Sequence, residues 1–84
     1  SWGPQRLMPM HRAGAVVRTA QGLAIVRCPN EDHVRIGAQI VDESLDTIGR
    51  VVDVFGPVER PYLAVTTGPD ISLPALLGTK LYAR

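Results

Sequence analysis

Side chains that could act as a nucleophile, a general base or a proton donor are few in this chain and lie apart along it. None of its serines, at positions 1, 44 and 72, lies in the G-x-S-x-G turn that exposes a catalytic serine. The single cysteine, Cys28, has no C-x-x-C partner, and the only histidines are His11 and His33. Because nucleophilic catalysis needs a nucleophile and a base within hydrogen-bond reach, this pattern favours a protein that is not an enzyme.

Two short clusters have side chains that bind metal ions, but neither has the spacing of a metal site. Cys28, Asp32 and His33 lie close together in a polar segment, whereas structural zinc sites use four ligands at recognisable spacing. The acidic stretch at residues 42–46 has the composition of a solvated turn. No phosphate-binding G-x-G-x-x-G or P-loop motif is present. We therefore predict neither a metal site nor a cofactor.

The segment that best fits a binding site is residues 55–62, called here the 55–62 corner. A predicted strand ends at Phe55, turns at Gly56-Pro57 and returns through Pro61-Tyr62. The two prolines restrict the backbone, which lowers the entropy lost on binding, and aromatic and arginine side chains are enriched at interfaces. The candidate partner-binding residues are Phe55, Gly56, Pro57, Val58, Arg60, Pro61 and Tyr62. Alternatively, the two aromatic side chains fill one end of the protein core, and residue types alone leave both roles open.

The elements that position this corner are predicted to be short β-strands. Runs of β-branched residues separated by Gly, Pro, Asn and Asp predict an all-β fold. The predicted strands are residues 14–18, 23–27, 38–41, 47–55, 62–67 and 79–83, with a hairpin turn at Gln21-Gly22, a loop at 28–37 and a helical turn at 74–77. Closing six short strands into a small barrel removes exposed strand edges.

Alternation along the two longer predicted strands assigns their side chains to two faces. In the fourth strand, Ile48, Val52 and Val54 share one face, and Phe55 lies on the other. In the fifth, Tyr62 lies on the face opposite the more apolar one. A helix also fits the apolar spacing of the fourth run, but its β-branched residues and its glycine favour a strand.

The composition limits the size of the protein and its surroundings. With 84 residues, the chain has room for one domain, and we assign residues 11–84 to a single barrel and residues 1–10 to an irregular leader or a cloning remnant. The net charge of +1 predicts no strong bulk attraction to nucleic acid or membranes. One cysteine permits no internal disulfide, and no apolar run approaches the length of about 20 residues that spans a membrane. We therefore expect a cytoplasmic protein.

Residues 49–62 follow the pattern G-x-V-x-D-V-F-G-P-V-x-x-P-Y, which resembles the signature of the Gar subunit of H/ACA ribonucleoproteins. The hairpin at residues 12–26 and the closing G-x-x-L-Y at residues 78–82 are also similar to that family. The resemblance implies a small six-stranded split β-barrel of the translation-factor-like type. It also implies an accessory subunit that binds a dyskerin-type pseudouridine synthase, performs no chemistry itself, and tunes loading and release of substrate RNA in rRNA modification.

The same resemblance implies that contact with the H/ACA guide RNA complex runs mainly through the synthase. Because the sequence carries no Gly-Arg-rich tail, we expect an archaeal-type subunit. Two other functions stay open: a small β-barrel that binds RNA directly, for which a basic stripe is lacking, and a split-barrel flavin enzyme, for which a phosphate-binding pattern is lacking.

Overall fold

The first two strands form a hairpin whose turn follows from the local sequence. In the computed structural model, which describes residues 11–84, β1 spans His11–Ala20 and β2 spans Leu23–Arg27. Gln21 and Gly22 between them have positive φ angles of 54° and 78°, as a type I′ hairpin turn requires. The predicted hairpin is confirmed, and β1 extends beyond the predicted residues 14–18 at both ends.

Four further strands complete a closed barrel. They are β3 (Gln39–Val41), β4 (Thr47–Phe55), β5 (Tyr62–Thr67) and β6 (Lys80–Ala83), and the short helix α1 (Leu73–Leu76) precedes β6. Neighbouring strands are antiparallel, in the order β1-β2-β5-β4-β3-β6 around the barrel. The predicted all-β barrel of six strands is confirmed. The starts of β3 and β6 and both ends of α1 differ from the predicted ones by one residue.

Aliphatic side chains from all six strands form the core. The largest fully buried ones are Ile40, Leu63 and Leu81, and burying a side chain of this size contributes about 1.5–3 kcal/mol. Leu76 of α1 joins the cluster, so the helix adds to the core beside β1 and β2. Within residues 11–84 no polar or charged residue is buried, and the only buried reactive group is the thiol of Cys28.

A β-bulge in β4 decides which of its side chains enter the core. The register between β4 and β5 shifts between Val51 and Asp53, which leaves Val52 as an extra residue. Val51, before the extra residue, is only 1% exposed, whereas Val52 is 44% exposed. The predicted common face of Ile48, Val52 and Val54 is therefore wrong at Val52 only, since Ile48 is buried and Val54 packs against the core.

The connection from β2 to β3 runs across one end of the barrel, since two other strands lie between them. It follows the side formed by β4 and β5. The Cys28 amide donates a 3.0 Å hydrogen bond to the Pro61 carbonyl, and the Gly37 amide donates a 2.8 Å hydrogen bond to the Val51 carbonyl. The predicted loop at residues 28–37 is confirmed, and these bonds hold both of its ends in place.

Two predictions concern the whole chain, namely its division at residue 11 and the lack of a membrane span. The predicted leader, residues 1–10, lies outside the described residues, so the division of the chain at residue 11 stays a prediction. Among residues 11–84, no helix has both the length and the apolar character needed to cross a membrane.

Candidate functional site

The 55–62 corner is the connection between β4 and β5, and its shape is set by its own backbone. Phe55 and Tyr62 are the last pair of the β4–β5 ladder, and they face each other across the connection. Gly56 turns the chain with a φ angle of 92°, a conformation that side chains other than glycine rarely adopt. The Arg60 amide then donates a 3.2 Å hydrogen bond to the Pro57 carbonyl, which closes a tight turn.

The rings of Phe55 and Tyr62 stack on the outer surface of the barrel. Their centroids are 5.6 Å apart, and the ring planes differ by 21°. The preceding ladder pair, Val54 and Leu63, packs with the core, so the next pair points outward. Phe55 is 37% exposed and Tyr62 is half-buried. Neither ring belongs to the core cluster, so they do not fill the end of the core.

Two arginines that the sequence did not single out lie beside this aromatic pair. The guanidinium carbons of Arg18 and Arg27 lie 5.8 Å and 5.7 Å from the centroid of the Tyr62 ring. Contacts of this kind contribute about 0.5–2 kcal/mol, depending on how far the cation is desolvated. We call the exposed surface of Arg18, Arg27, Phe55 and Tyr62 the Tyr62 patch.

The position of these arginines follows from strand pairing and not from nearness in sequence. Arg27 of β2 is the ladder partner of Tyr62 in β5, 35 positions further along the chain. Arg18 of β1 is paired with Ile25, whose own partner on the other side is Ala64. The hairpin between β1 and β2 could be predicted, but its pairing with β5 could not. No sequence signal therefore pointed to the two arginines.

The remaining predicted corner residues divide into exposed and positioning residues. Val58 is 80% exposed and Pro57 is exposed beside it. Pro61 is buried, and the Arg60 Nε donates a 3.0 Å hydrogen bond to the Cys28 carbonyl. Arg60 and Pro61 therefore tie the corner to the end of β2. A Cβ atom on Gly56 would lie 2.8 Å from Cδ2 of Tyr62, so the glycine leaves room for that ring.

The side chains considered for chemistry are not brought together. No group of three or more His, Cys, Asp or Glu side chains within residues 11–84 is placed to hold a metal ion. Asp42 Oδ1 accepts hydrogen bonds from the Ser44 and Asp46 amides, at 2.9 Å and 3.0 Å, so this carboxylate organises its own turn. Burial raises the pKa of the Cys28 thiol, which keeps it in its unreactive form. The arrangement suits binding at a surface.

Comparison with known proteins identifies similar sequences and a similar fold. Residues 10–84 match a family model described as the Gar1/Naf1 RNA binding region. An uncharacterized protein of Methanocaldococcus jannaschii is 38% identical over 48 residues, which are 57% of this chain and 56% of that protein. The chain thus spans about half the length of this curated relative. A solved structure of the Gar1 domain of Naf1 superposes with a TM-score of 0.71 at 17% identity, covering 98% of this chain and 88% of that one, which shows a common fold.

Proposed function

The chain belongs to the Gar1/Naf1 family, and we propose that it is a non-catalytic accessory subunit of an H/ACA RNA-guided pseudouridylation complex. The resemblance predicted from residues 49–62 is confirmed by this membership. The family is described by RNA binding and not by a reaction. In our proposal, the chain binds a dyskerin-type pseudouridine synthase and tunes how substrate RNA is loaded and released.

The observation that carries this proposal is the exposed Tyr62 patch on a stiff corner. Residues that dominate binding energies at protein interfaces are most often Trp, Tyr and Arg, near the centre of a well-packed surface. Here a tyrosine ring is stacked on Phe55 and flanked by Arg18 and Arg27, so the four side chains already lie together before a partner arrives. This arrangement lowers the entropic cost of association.

We assign different roles to the corner residues in this interface. Phe55, Val58 and Tyr62 supply apolar contact area, because they are the exposed or half-exposed large side chains of the corner. Gly56, Pro57, Arg60 and Pro61 position them through the turn and through the hydrogen bonds to the end of β2.

The test compares two tyrosines of similar burial. Tyr62→Ala removes the centre of the patch, whereas Tyr82→Ala removes a half-buried tyrosine on β6, which lies on the far side of β1 and β2. Truncating an interface anchor costs about 2 kcal/mol or more, which weakens affinity about thirtyfold. We expect Tyr62→Ala to weaken binding of a purified pseudouridine synthase by this factor in calorimetry, and Tyr82→Ala to change it little.

The melting temperature of both variants separates loss of binding from loss of folding. Tyr62→Ala should lower the melting temperature only modestly, through loss of the Phe55 stack and the two arginine contacts, whereas truncating a core aromatic costs about 3–5 kcal/mol of stability. Equal synthase affinity of Tyr62→Ala and the unmodified chain, with both folded, would exclude the corner from the interface.

Direct RNA binding is the second candidate function, and one observation favours it. An exposed tyrosine with two neighbouring guanidinium groups also suits the stacking of a nucleobase and contact with its phosphate. The two candidate functions predict different losses of binding in Tyr62→Ala. If the chain alone binds single-stranded RNA in a filter assay, and Tyr62→Ala abolishes that binding but spares synthase affinity, RNA is the ligand of the patch.

A further inference from the structure

A second surface, separate from the Tyr62 patch, is a cleft at the end of the barrel that the β2–β3 connection crosses. The cleft has a volume of about 980 Å³ and none of the four patch residues lines it. One wall is residues 29–30 and 32–37 of the connection, and the other wall contains the start of β1 and the end of β6. The connection follows β4 and β5, so the space opens on the opposite side of the barrel end.

The cleft carries more positive charge than the chain as a whole. Its walls carry three arginines, Arg12, Arg35 and Arg84, against one carboxylate, Asp32. The formal charge of these groups is +3 − 1 = +2, which exceeds the net charge of +1 for the entire chain. All three arginine side chains are exposed. A cleft with this charge attracts an anionic ligand.

The backbones that carry these arginines come from three different elements and are held in place. Arg12 of β1 is paired with Tyr82 of β6. The amide of Arg84 donates a 3.0 Å hydrogen bond to the Gln39 carbonyl. The carbonyl of Arg35 accepts a 3.2 Å hydrogen bond from the Ala38 amide, which closes a turn. The three arginines therefore line one cleft from fixed backbone positions.

A strand edge borders the same cleft. The pairing of β1 with β2 ends at Ala15, whereas β1 itself begins at His11 and pairs with β6 from there. Among the described residues, positions 11–13 thus have a strand partner on the β6 side only. An unpaired strand edge offers backbone amides and carbonyls to an extended chain, which is how many peptides add a strand to a sheet.

The apolar part of the cleft distinguishes a protein ligand from RNA. Ile36 is 59% exposed beside Arg35, and Val34 and Ala38 are half-buried in the same wall. The cleft is lined by no Phe, Tyr or Trp, and its only aromatic rings are the imidazoles of His11 and His33, whereas binding of single-stranded RNA relies on bases stacking on aromatic rings. Aliphatic side chains and a strand edge instead suit a polypeptide.

We propose that this cleft binds an extended segment of a partner protein in which acidic and aliphatic residues alternate. The segment adds as a strand to the edge of β1 at residues 11–13. Its carboxylates meet Arg12, Arg35 and Arg84, and its aliphatic side chains cover Ile36. Residues 1–10 of the chain itself do not have this chemistry, since they contain Arg6 and no carboxylate.

The probe is a short synthetic peptide that alternates glutamate with valine, labelled for fluorescence anisotropy. Surface charge pairs contribute about 0.2–1 kcal/mol each, so Arg12→Gln, Arg35→Gln and Arg84→Gln should each weaken binding by about 1.5- to 5-fold. The matched control is Lys80→Gln, which removes the same charge from an exposed position on β6 outside the cleft, and it should change affinity less. Proline in place of the central valines should also weaken binding, because it removes backbone donors.

Each of the following outcomes would overturn the proposal. The first is no binding of the peptide, or equal losses for Lys80→Gln and the three cleft variants. The second is undiminished binding of the proline peptide, which is incompatible with strand addition. The third is displacement of the peptide by oligouridylate at lower concentration than by unlabelled peptide, which would make the cleft an RNA site. Tyr62→Ala leaves the cleft intact, so the test is independent of the synthase experiment.

Discussion

Cys28 places a titratable thiol in the apolar core, where it is 0% exposed. Burial raises the pKa of this thiol above its ordinary value of 9.0, because the thiolate loses its hydration. As the pH rises, the unfolded chain therefore loses the proton first. The stability of the fold is retained below pH 9.0 and falls as the pH rises from there towards the raised value.

We predict that Cys28→Ala removes this pH dependence. The variant loses packing at all pH values, so the unmodified chain is more stable at neutral pH. The urea midpoint of the unmodified chain should exceed that of the variant by less and less between about pH 8 and about pH 10, because only the unmodified chain carries the thiol. Comparing the two chains cancels the titration of the tyrosines and of Lys80. An advantage that is constant over this range would mean that the thiolate is tolerated in the core.

Gly56 links the backbone of the corner to the position of the Tyr62 ring. Its φ angle is +92°, and an added Cβ would lie 2.8 Å from Tyr62 Cδ2. Gly22 in the β1–β2 turn is a matched control, since its φ angle is +78° but an added Cβ would meet nothing within 4 Å. Both alanine variants should lose about 1–2 kcal/mol of stability through backbone strain.

We predict that only Gly56→Ala weakens binding of the synthase, because only there must the Tyr62 ring move. Chemical denaturation gives the stability of each variant, and calorimetry gives the affinity. Wild-type affinity in Gly56→Ala would show that the ring position is not important for binding. Equal losses of affinity in both variants would trace the effect to stability alone.

At the scale of the element, the bulge in β4 gives two neighbouring valines opposite burial. Val51 is 1% exposed and Val52 is 44% exposed. We predict that Val51→Asp unfolds the protein or destabilises it by about 4 kcal/mol or more, because a carboxylate is buried without a partner. Val52→Asp should change the free energy of unfolding by only about 0.5 kcal/mol. Urea titration of both variants checks this. Similar losses would mean that β4 has no bulge in solution.

The difference between local and non-local determinants decides how much of this fold the sequence predicts. The turn at Gln21-Gly22 depends on two adjacent residues, and the 55–62 corner on eight, so both were predicted. The extra residue Val52 has no local signal, because a valine run fits either face until its partner strand is known. Likewise, Arg27 reaches Tyr62 only through the pairing of β2 with β5.

At the scale of the whole molecule, five of the eight arginines lie on two separate surfaces and do not form one stripe. Arg18 and Arg27 flank Tyr62 on the outer face, and three others line the cleft at the barrel end. The two surfaces meet at the end of β2. Cys28 accepts the hydrogen bond from Arg60 of the corner, and the next residue, Pro29, lines the cleft. A partner bound at the corner could therefore extend into the cleft.

This division predicts weak binding of RNA by the chain alone. The cleft offers three arginines to an RNA strand and the Tyr62 patch offers two, and the net charge of +1 adds little long-range attraction. Each neutralised phosphate of a single strand contributes about −0.7 to the slope of log K against log salt, so three contacts give a slope of about −2. We expect a dissociation constant weaker than about 1 μM at physiological salt, which is the range of non-specific binding.

Filter binding of oligouridylate over a series of salt concentrations measures this slope. Arg12→Gln removes one arginine from the cleft, and Arg27→Gln removes one from the Tyr62 patch. The salt slope should become shallower only in the variant whose surface binds the RNA. A slope steeper than about −2 would require contact with more arginines than either surface offers. The two surfaces would then act together on one strand, and the chain would have to be regarded as an RNA-binding protein in its own right, with the synthase as a secondary partner.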